Sequence, residues 1–167
     1  MEITYRKARR EDARRLAEIE RLCFGGEAAY ADSCISAKEF KTLIATNNNL
    51  IFVGDHKGRV AGYVYLEIEE EAYDFIKVCL ASIATDPAFR RSDIARDLML
   101  LAETEALRAA GPRRLDMVAQ IEPGNLPSRH LFETFNYVSA GVLKGYYRED
   151  IDAVLMCKSP RHPGLNF

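Results

Sequence analysis

The sequence lacks several features that mark particular classes of protein. It has no run of about eighteen apolar residues, so it predicts no membrane-spanning helix. Its charges nearly cancel, with 23 Lys and Arg against 25 Asp and Glu, whereas a nucleic-acid-binding protein normally has a basic excess. Its 3 histidines lie far apart, which argues against a histidine-rich metal site. We therefore expect no membrane, no nucleic acid and no metal among its partners.

The cysteines and the N-terminal residues bear on localisation. The 4 cysteines have no CxxC or other short spacing, which indicates reduced thiols. The first residues are followed by charge rather than by an apolar segment, so no secretory signal is expected. Both features favour a cytoplasmic protein.

The length and composition are those of one globular domain. The chain has 167 residues, of which 48% are hydrophobic and 29% charged. A core can form at this size without disulfides or metals. We expect a single domain over residues 1–158 and a C-terminal tail without regular structure over residues 159–167.

The pattern of apolar residues predicts helices and strands in an alternating order. Helices are expected over residues 11–23, 36–46, 94–110 and 127–135, the second opened by a capping box of Ser36 and Glu39. Strands are expected over residues 3–8, 50–54, 59–69, 73–85 and 115–121, with two more between 137 and 158 around a connection at 144–150. A strand–helix–strand unit at 73–121 implies parallel neighbours in an otherwise antiparallel sheet. The predicted class is α/β (α+β), a mixed, mostly antiparallel sheet with helices on both faces.

A basic turn joins the long central strand to the third predicted helix. A helix N-terminus offers free N–H groups and a positive dipole end, which suit a phosphate. Arg90, Arg91 and Arg96 would add charge-assisted donors. The alternative is an ordinary connection whose arginines are only solvated.

Several motifs occur in a family-specific order along nearly the whole chain. Residues 84–87 read Ala-Thr-Asp-Pro, and residues 90–95 read Arg-Arg-Ser-Asp-Ile-Ala, close to the loop pattern Q/R-x-x-G-x-G/A. Residues 125–137 follow the pattern N-x-x-A-x-x-L-Y-x-x-x-G-F, and a tyrosine pair stands at 146–147. Residues 150–156 approximate a closing EDAxxM. With these motifs the sequence resembles the GNAT N-acetyltransferases, and within them the ribosomal-protein alanine acetyltransferase (RimI-like) branch.

The resemblance implies transfer of an acetyl group from acetyl-CoA to a primary amine, by direct attack in a ternary complex. The acceptor would be a protein N-terminus or a small amine, and a homodimer remains possible. The resemblance assigns acceptor binding to Phe24, Tyr146 and Tyr147. It assigns cofactor binding to Ile83, Ala84, Thr85, Arg90, Arg91, Ser92, Asp93, Ile94, Ala95, Arg96, Asn125, Ser128 and Phe132.

Three departures from the family pattern affect cofactor binding and proton transfer. Asp93 replaces a loop glycine, so its carboxylate either weakens binding of the pyrophosphate or caps the helix and points away. Gln120 stands at the position of the catalytic base and Phe132 at that of the tyrosine acid, and neither side chain can exchange a proton. Glu122 and Tyr137 are the substitutes that we predict as catalytic residues. The alternative function is a weak or inactive GNAT-fold protein that binds an acyl-CoA or a partner.

An acidic run at residues 67–71 is followed by Asp74. Such a run is usually a solvated strand end. The functional alternative is an acidic rim that attracts a cationic amine.

Overall fold

A seven-stranded mixed sheet forms the centre of the fold. The computed structural model describes residues 2–26, 33–90 and 92–160. The strands lie in the order β1-β2-β3-β4-β5-β7-β6. They span Thr4–Lys7, Asn49–His56, Arg59–Glu71, Phe75–Thr85, Arg114–Ile121, Val138–Arg148 and Ile151–Lys158, numbered β1 to β7. The ladders β1–β2, β2–β3, β5–β7 and β6–β7 are antiparallel, and β4–β5 is parallel.

Four α-helices of the described residues connect the strands. They span Ala13–Phe24, Ala37–Ala45, Ile94–Ala110 and Leu126–Thr134, numbered α1 to α4. The predicted capping box is confirmed, since the Ser36 hydroxyl accepts from the Glu39 amide at 3.2 Å and the Glu39 carboxylate accepts from the Ser36 amide at 2.7 Å. The predicted element order and mixed sheet are likewise confirmed. Within the described ranges, no helix is both long and apolar enough to cross a membrane.

Contacts divide the described chain into two compact units. The first comprises residues up to 67 together with 81–102, and the second comprises 68–80 together with 103 onward. In the first unit, a core of buried side chains from α1, β2 and β3 surrounds Phe40, whose ring meets Tyr63 edge-on at 5.5 Å. In the second unit, Leu115, Met117 and Tyr137 are buried.

The connection between the last two strands differs from the prediction. The sequence predicts it at 144–150, but β6 continues to Arg148 and only residues 149–150 form the turn. Gly141 and Gly145 have φ values of +152° and +59°, and the pairing with β7 shifts beside them. These bulges let the strand continue through the residues that looked like a loop. Most of the predicted loop at 27–34 and residues 161–167 of the predicted tail lie outside the described residues.

Candidate active site

The start of the basic turn is fixed by a buried aspartate. Asp86, 3% exposed, forms an ion pair with Arg15 and a longer one with Arg59 at 3.3 Å. Its carboxylate also accepts from the Ala88 amide at 2.8 Å. Burial opposes ionisation, but the Ala88 N–H and the Arg15 guanidinium together hold the pKa of Asp86 below its ordinary value. Asp86 therefore stays charged and anchors the turn that follows β4.

The turn leads directly into α3. The Ser92 hydroxyl donates to the Phe89 carbonyl at 2.5 Å, and the Asp93 carbonyl accepts the first helical bond from Asp97 at 2.8 Å. The side chains of Arg90, Asp93 and Arg96 are exposed, and Arg91 lies outside the described residues. The first amides of a helix have no acceptor within it, so this end of α3 can bind an anion.

The end of β4 carries an unsatisfied polar atom. The Thr85 Oγ1 is buried without a hydrogen-bond partner among the described residues, while the Thr85 carbonyl accepts from the Cys23 thiol at 3.3 Å. A buried hydroxyl without a partner costs about 1–3 kcal/mol, which a polar ligand group would recover. Together with the turn and the start of α3, this strand end offers polar and cationic groups to an extended anionic ligand.

The remaining predicted cofactor residues lie in the second unit, on α4. The Asn125 side chain caps the helix, accepting from the Ser128 amide at 3.2 Å. Phe132 is 2% exposed and meets Tyr137 edge-on at 4.9 Å. In the structure, Asn125 and Phe132 thus have local roles in capping and packing; their predicted contacts with the cofactor remain predictions.

Gln120, at the family's base position, is held by two neighbours. Its side-chain oxygen accepts from the Cys79 thiol at 3.3 Å, and its backbone oxygen accepts from the Tyr147 hydroxyl at 2.9 Å. Tyr147 in turn meets Tyr146 edge-on at 4.9 Å, and Tyr146 is 49% exposed. The structure therefore brings the tyrosine pair to the strand that carries Gln120. Phe24 packs against the core of the first unit.

The two substitutes predicted for proton transfer occupy different surroundings. The Glu122 carboxylate lies over its own turn, 3.0 Å from where a Cβ on Gly124 would stand. Tyr137 is buried, and its hydroxyl donates to the Met117 sulfur at 3.4 Å. Burial raises the pKa of Tyr137 far above its ordinary value, with Glu103 and Cys79 acting in the same direction. This environment favours a packing role for Tyr137, and both catalytic assignments remain predictions.

A buried carboxylate on α1 was not among the residues predicted from the sequence. Glu20, 6% exposed, accepts hydrogen bonds from the hydroxyl of Tyr63 and, at 3.4 Å, from that of Ser82. The backbone amide of Ile35 also donates to it, at 3.4 Å. Burial raises the pKa of Glu20 above its ordinary value, although these three hydrogen bonds act in the opposite direction. The available signal was its spacing, since Glu20 follows Leu16 by four residues on the apolar face of the helix.

Comparison with known proteins assigns the family. A model of the acetyltransferase (GNAT) family matches residues 13–137. The catalytic subunit ard1 of the N-terminal acetyltransferase A complex of Schizosaccharomyces pombe is 28% identical over 106 residues, which cover 62% of this chain and 59% of that protein.

Solved structures share the fold. A ribosomal-protein-alanine N-acetyltransferase from Brucella melitensis superposes with a TM-score of 0.76 at 20% identity, covering 94% of this chain and 99% of that one. Arabidopsis thaliana NAA60, solved in complex with acetyl-CoA, gives 0.78 at 17% identity, covering 95% and 98%. The predictions of the GNAT fold and of the enzyme class are confirmed at the level of the family. This chain belongs to the acetyltransferase (GNAT) family.

Proposed function

We propose that this chain transfers the acetyl group of acetyl-CoA to a primary amine, by direct attack of the amine in a ternary complex. The observation that carries the proposal is the end of β4 in the first unit. There, the unsatisfied hydroxyl of Thr85, the turn anchored by Asp86 and the exposed start of α3 follow one another directly. Together, these groups offer polar and cationic contacts to a long, anionic donor.

Each part of this segment has a distinct role in holding the donor. The backbone of residues 83–85 would pair with the pantetheine, and the amides at the start of α3 would hold the pyrophosphate together with Arg90 and Arg96. When bound, acetyl-CoA supplies an activated thioester carbonyl. The residues of the chain must fix that donor, orient the amine and accept the proton that the amine loses.

The acceptor that we favour is a protein N-terminus, as in the RimI-like branch. The half-exposed Tyr146 beside Tyr147 provides an aromatic surface that suits a peptide. The similar ard1 protein is the catalytic subunit of an N-terminal acetyltransferase complex. The acidic run attracts a cation less than its sequence suggests, since Glu69 pairs with Lys77 at 2.9 Å and Glu71 with Arg113 at 2.6 Å. We place the reaction in the cytoplasm, because no disulfide joins the four cysteines.

A second candidate is a GNAT-fold protein that binds acyl-CoA without turnover. It is favoured by Gln120, whose amide cannot take a proton, and by Phe132, which has no hydroxyl. Loss of one proton-transfer group typically lowers a rate by about 10²–10⁴-fold. Binding without transfer would then be the whole activity.

Calorimetry and a thiol-release assay separate the two candidates. We expect acetyl-CoA to bind and the free thiol to appear with peptides that have an unblocked N-terminus. Thiol release with polyamines alone would redirect the proposal to small amines. Binding without release from any amine would favour the second candidate, and absence of binding would contradict both.

The acceptor surface has its own test. Tyr146→Ala should raise the KM for the peptide severalfold and leave the Kd of acetyl-CoA unchanged. Tyr73→Ala is the matched control, because Tyr73 is fully exposed. If the peptide KM responds equally to both substitutions, the tyrosine pair is not the acceptor site.

A further inference from the structure

A buried polar cluster in the first unit has no role in the assignments made from the sequence. Its members are Glu20 on α1, Tyr63 on β3 and Ser82 on β4. The Tyr63 hydroxyl donates to the Glu20 carboxylate and lies 2.9 Å from the Ser82 hydroxyl. The three side chains thus form a continuous chain of hydrogen bonds from a carboxylate to a strand.

The carboxylate of this cluster has no cationic partner among the described residues. The titratable groups that face Glu20 are the Tyr63 phenol and the thiols of Cys23 on α1 and Cys34 before α2. Burial raises the pKa of both thiols and of the phenol, so all three are uncharged near neutral pH. A buried carboxylate without a cation is unfavourable for stability. Burial without a cation favours uptake of a proton by Glu20 and outweighs its three hydrogen bonds, which favour the charged form.

The cluster is more open at Ser82 than at its other members. Tyr63 is completely buried and Glu20 nearly so, whereas Ser82 is only partly buried. Ser82 directly precedes Ile83, Ala84 and Thr85, the stretch of β4 assigned to the donor. A proton leaving an amine beside that stretch can therefore enter the chain of hydrogen bonds at Ser82.

We propose that Ser82, Tyr63 and Glu20 form a proton relay in which Glu20 is the final acceptor of the proton that the amine loses. This inference rests on the proposed acetyl transfer. It supplies the base function that Gln120 cannot perform.

The relay conserves every proton. An N–H bond of the acceptor ammonium breaks as the Ser82 oxygen takes the proton. Ser82 passes its own hydroxyl proton to the Tyr63 oxygen, and Tyr63 passes its proton to the Glu20 carboxylate. The products are a neutral amine with a free lone pair and a neutral Glu20. After transfer, Glu20 returns its proton to solvent along the same path, and the departing thiolate takes the second proton of the amine nitrogen.

The pH dependence of kcat with a saturating peptide tests the relay. The wild type should show two ionisations, that of the peptide amine at about 8 and a second, lower one from Glu20. Glu20→Gln keeps the shape of the side chain but cannot accept a proton. We therefore expect kcat to fall about 10²-fold or more and the lower ionisation to disappear from the pH profile. The Kd of acetyl-CoA should not change. Glu11→Gln, an exposed carboxylate just before the same helix, should behave as the wild type.

Substitutions at Ser82 test the other end of the relay. They also provide the test if the Glu20→Gln protein does not fold. Ser82→Ala should lower kcat and remove the same ionisation, and Ser82→Thr, which keeps a hydroxyl, should restore both. An unchanged pH profile in Glu20→Gln, or in Ser82→Ala, would overturn the relay while leaving acetyl transfer intact. A wild type that binds acetyl-CoA and transfers to no amine would overturn the proposed function and the relay together.

Discussion

Glu20 illustrates how a single residue can oppose stability. Its carboxylate is 6% exposed, and this burial disfavours ionisation in the folded state even though three hydrogen bonds favour it. Proteins commonly retain such groups where activity needs them, at the expense of stability. The effect of this residue on folding can therefore be measured separately from its effect on catalysis.

The stability of the wild type should decrease with pH through Glu20. Its pKa is raised on folding, so the folded state holds a proton that the unfolded state has released once the pH exceeds the unfolded pKa. The free energy of unfolding then falls as pH rises from the unfolded to the folded pKa. Glu20→Gln removes this contribution, so the Tm of the variant should rise relative to that of the wild type as pH increases above about 4. Thermal melts of both proteins check this, and parallel curves would contradict it.

Asp93 offers a second test at the scale of one residue. Its exposed carboxylate stands where the family has a glycine beside the pyrophosphate. If it faces the ligand, Asp93→Gly should tighten acetyl-CoA binding by about 1 kcal/mol, roughly fivefold in Kd. Asp93→Asn separates the charge from the side chain itself. Unchanged affinity in both variants would show that the carboxylate points away from the ligand.

At the scale of elements, the approach of α3 to β3 and β4 depends on a glycine. A Cβ on Gly62 in β3 would lie 2.9 Å from the carbonyl oxygen of Ala84 and 3.0 Å from a methyl of Ile94. Ala84 belongs to the strand that leads into the turn, and Ile94 begins the helix after it. The geometry of the donor segment thus depends on the absence of a side chain at a neighbouring strand.

Gly62→Ala should therefore affect stability and donor binding together. Moving a backbone carbonyl to accommodate the methyl should cost roughly 1–3 kcal/mol. The displaced end of β4 should also weaken acetyl-CoA binding. Gly26→Ala is the matched control, because a Cβ there meets no atom of the described residues within 4 Å. Denaturant unfolding and calorimetry measure the two effects, and a Gly62→Ala protein equal to the control would refute the argument.

Helices, strands and turns could be predicted where a few neighbouring residues determine them. The hairpin of β2 and β3 was predicted because its turn lies within the sequence Asp55-His56-Lys57-Gly58, and Lys57 and Gly58 both have positive φ. A left-handed residue was also predicted after α4, and the φ of +63° at Asn136 confirms it. The end of β6 was misplaced because its bulges depend on pairing with β7, which the sequence of β6 alone does not display.

The same distinction between local and long-range signals decides which parts of the candidate site could be predicted. The donor segment is contiguous, so a motif reveals it. The cluster of Glu20, Tyr63 and Ser82 is assembled from one helix and two strands that are distant in sequence. Only the folded structure brings a carboxylate on the apolar face of α1 next to two hydroxyls.

At the scale of the whole molecule, positive and negative charges nearly balance, but they are not all in ion pairs. The formal net charge is −2. Many ions are paired, for example Arg6 with Asp12 at 2.7 Å and Lys158 with Glu103 at 2.5 Å. Within the described ranges, Arg90 and Arg96 form no ion pair. Arg90 does interact with the Cys23 thiol, which is neutral, so its charge is not compensated. Cations outside ion pairs beside a helix N-terminus are available to an anionic ligand.

Acetyl-CoA should consequently stabilise the whole chain. Ligand at 100 times its Kd adds about 2.7 kcal/mol to the free energy of unfolding. For a chain of this length, that corresponds to a rise in Tm of roughly 5–10 °C. Arg96→Ala should reduce the rise, and should do so less at high salt, where the lost attraction is screened. Arg108→Ala, an exposed arginine in the last turn of the same helix, should leave it unchanged. An equal reduction in both variants would mean that general charge, rather than the start of α3, attracts the ligand.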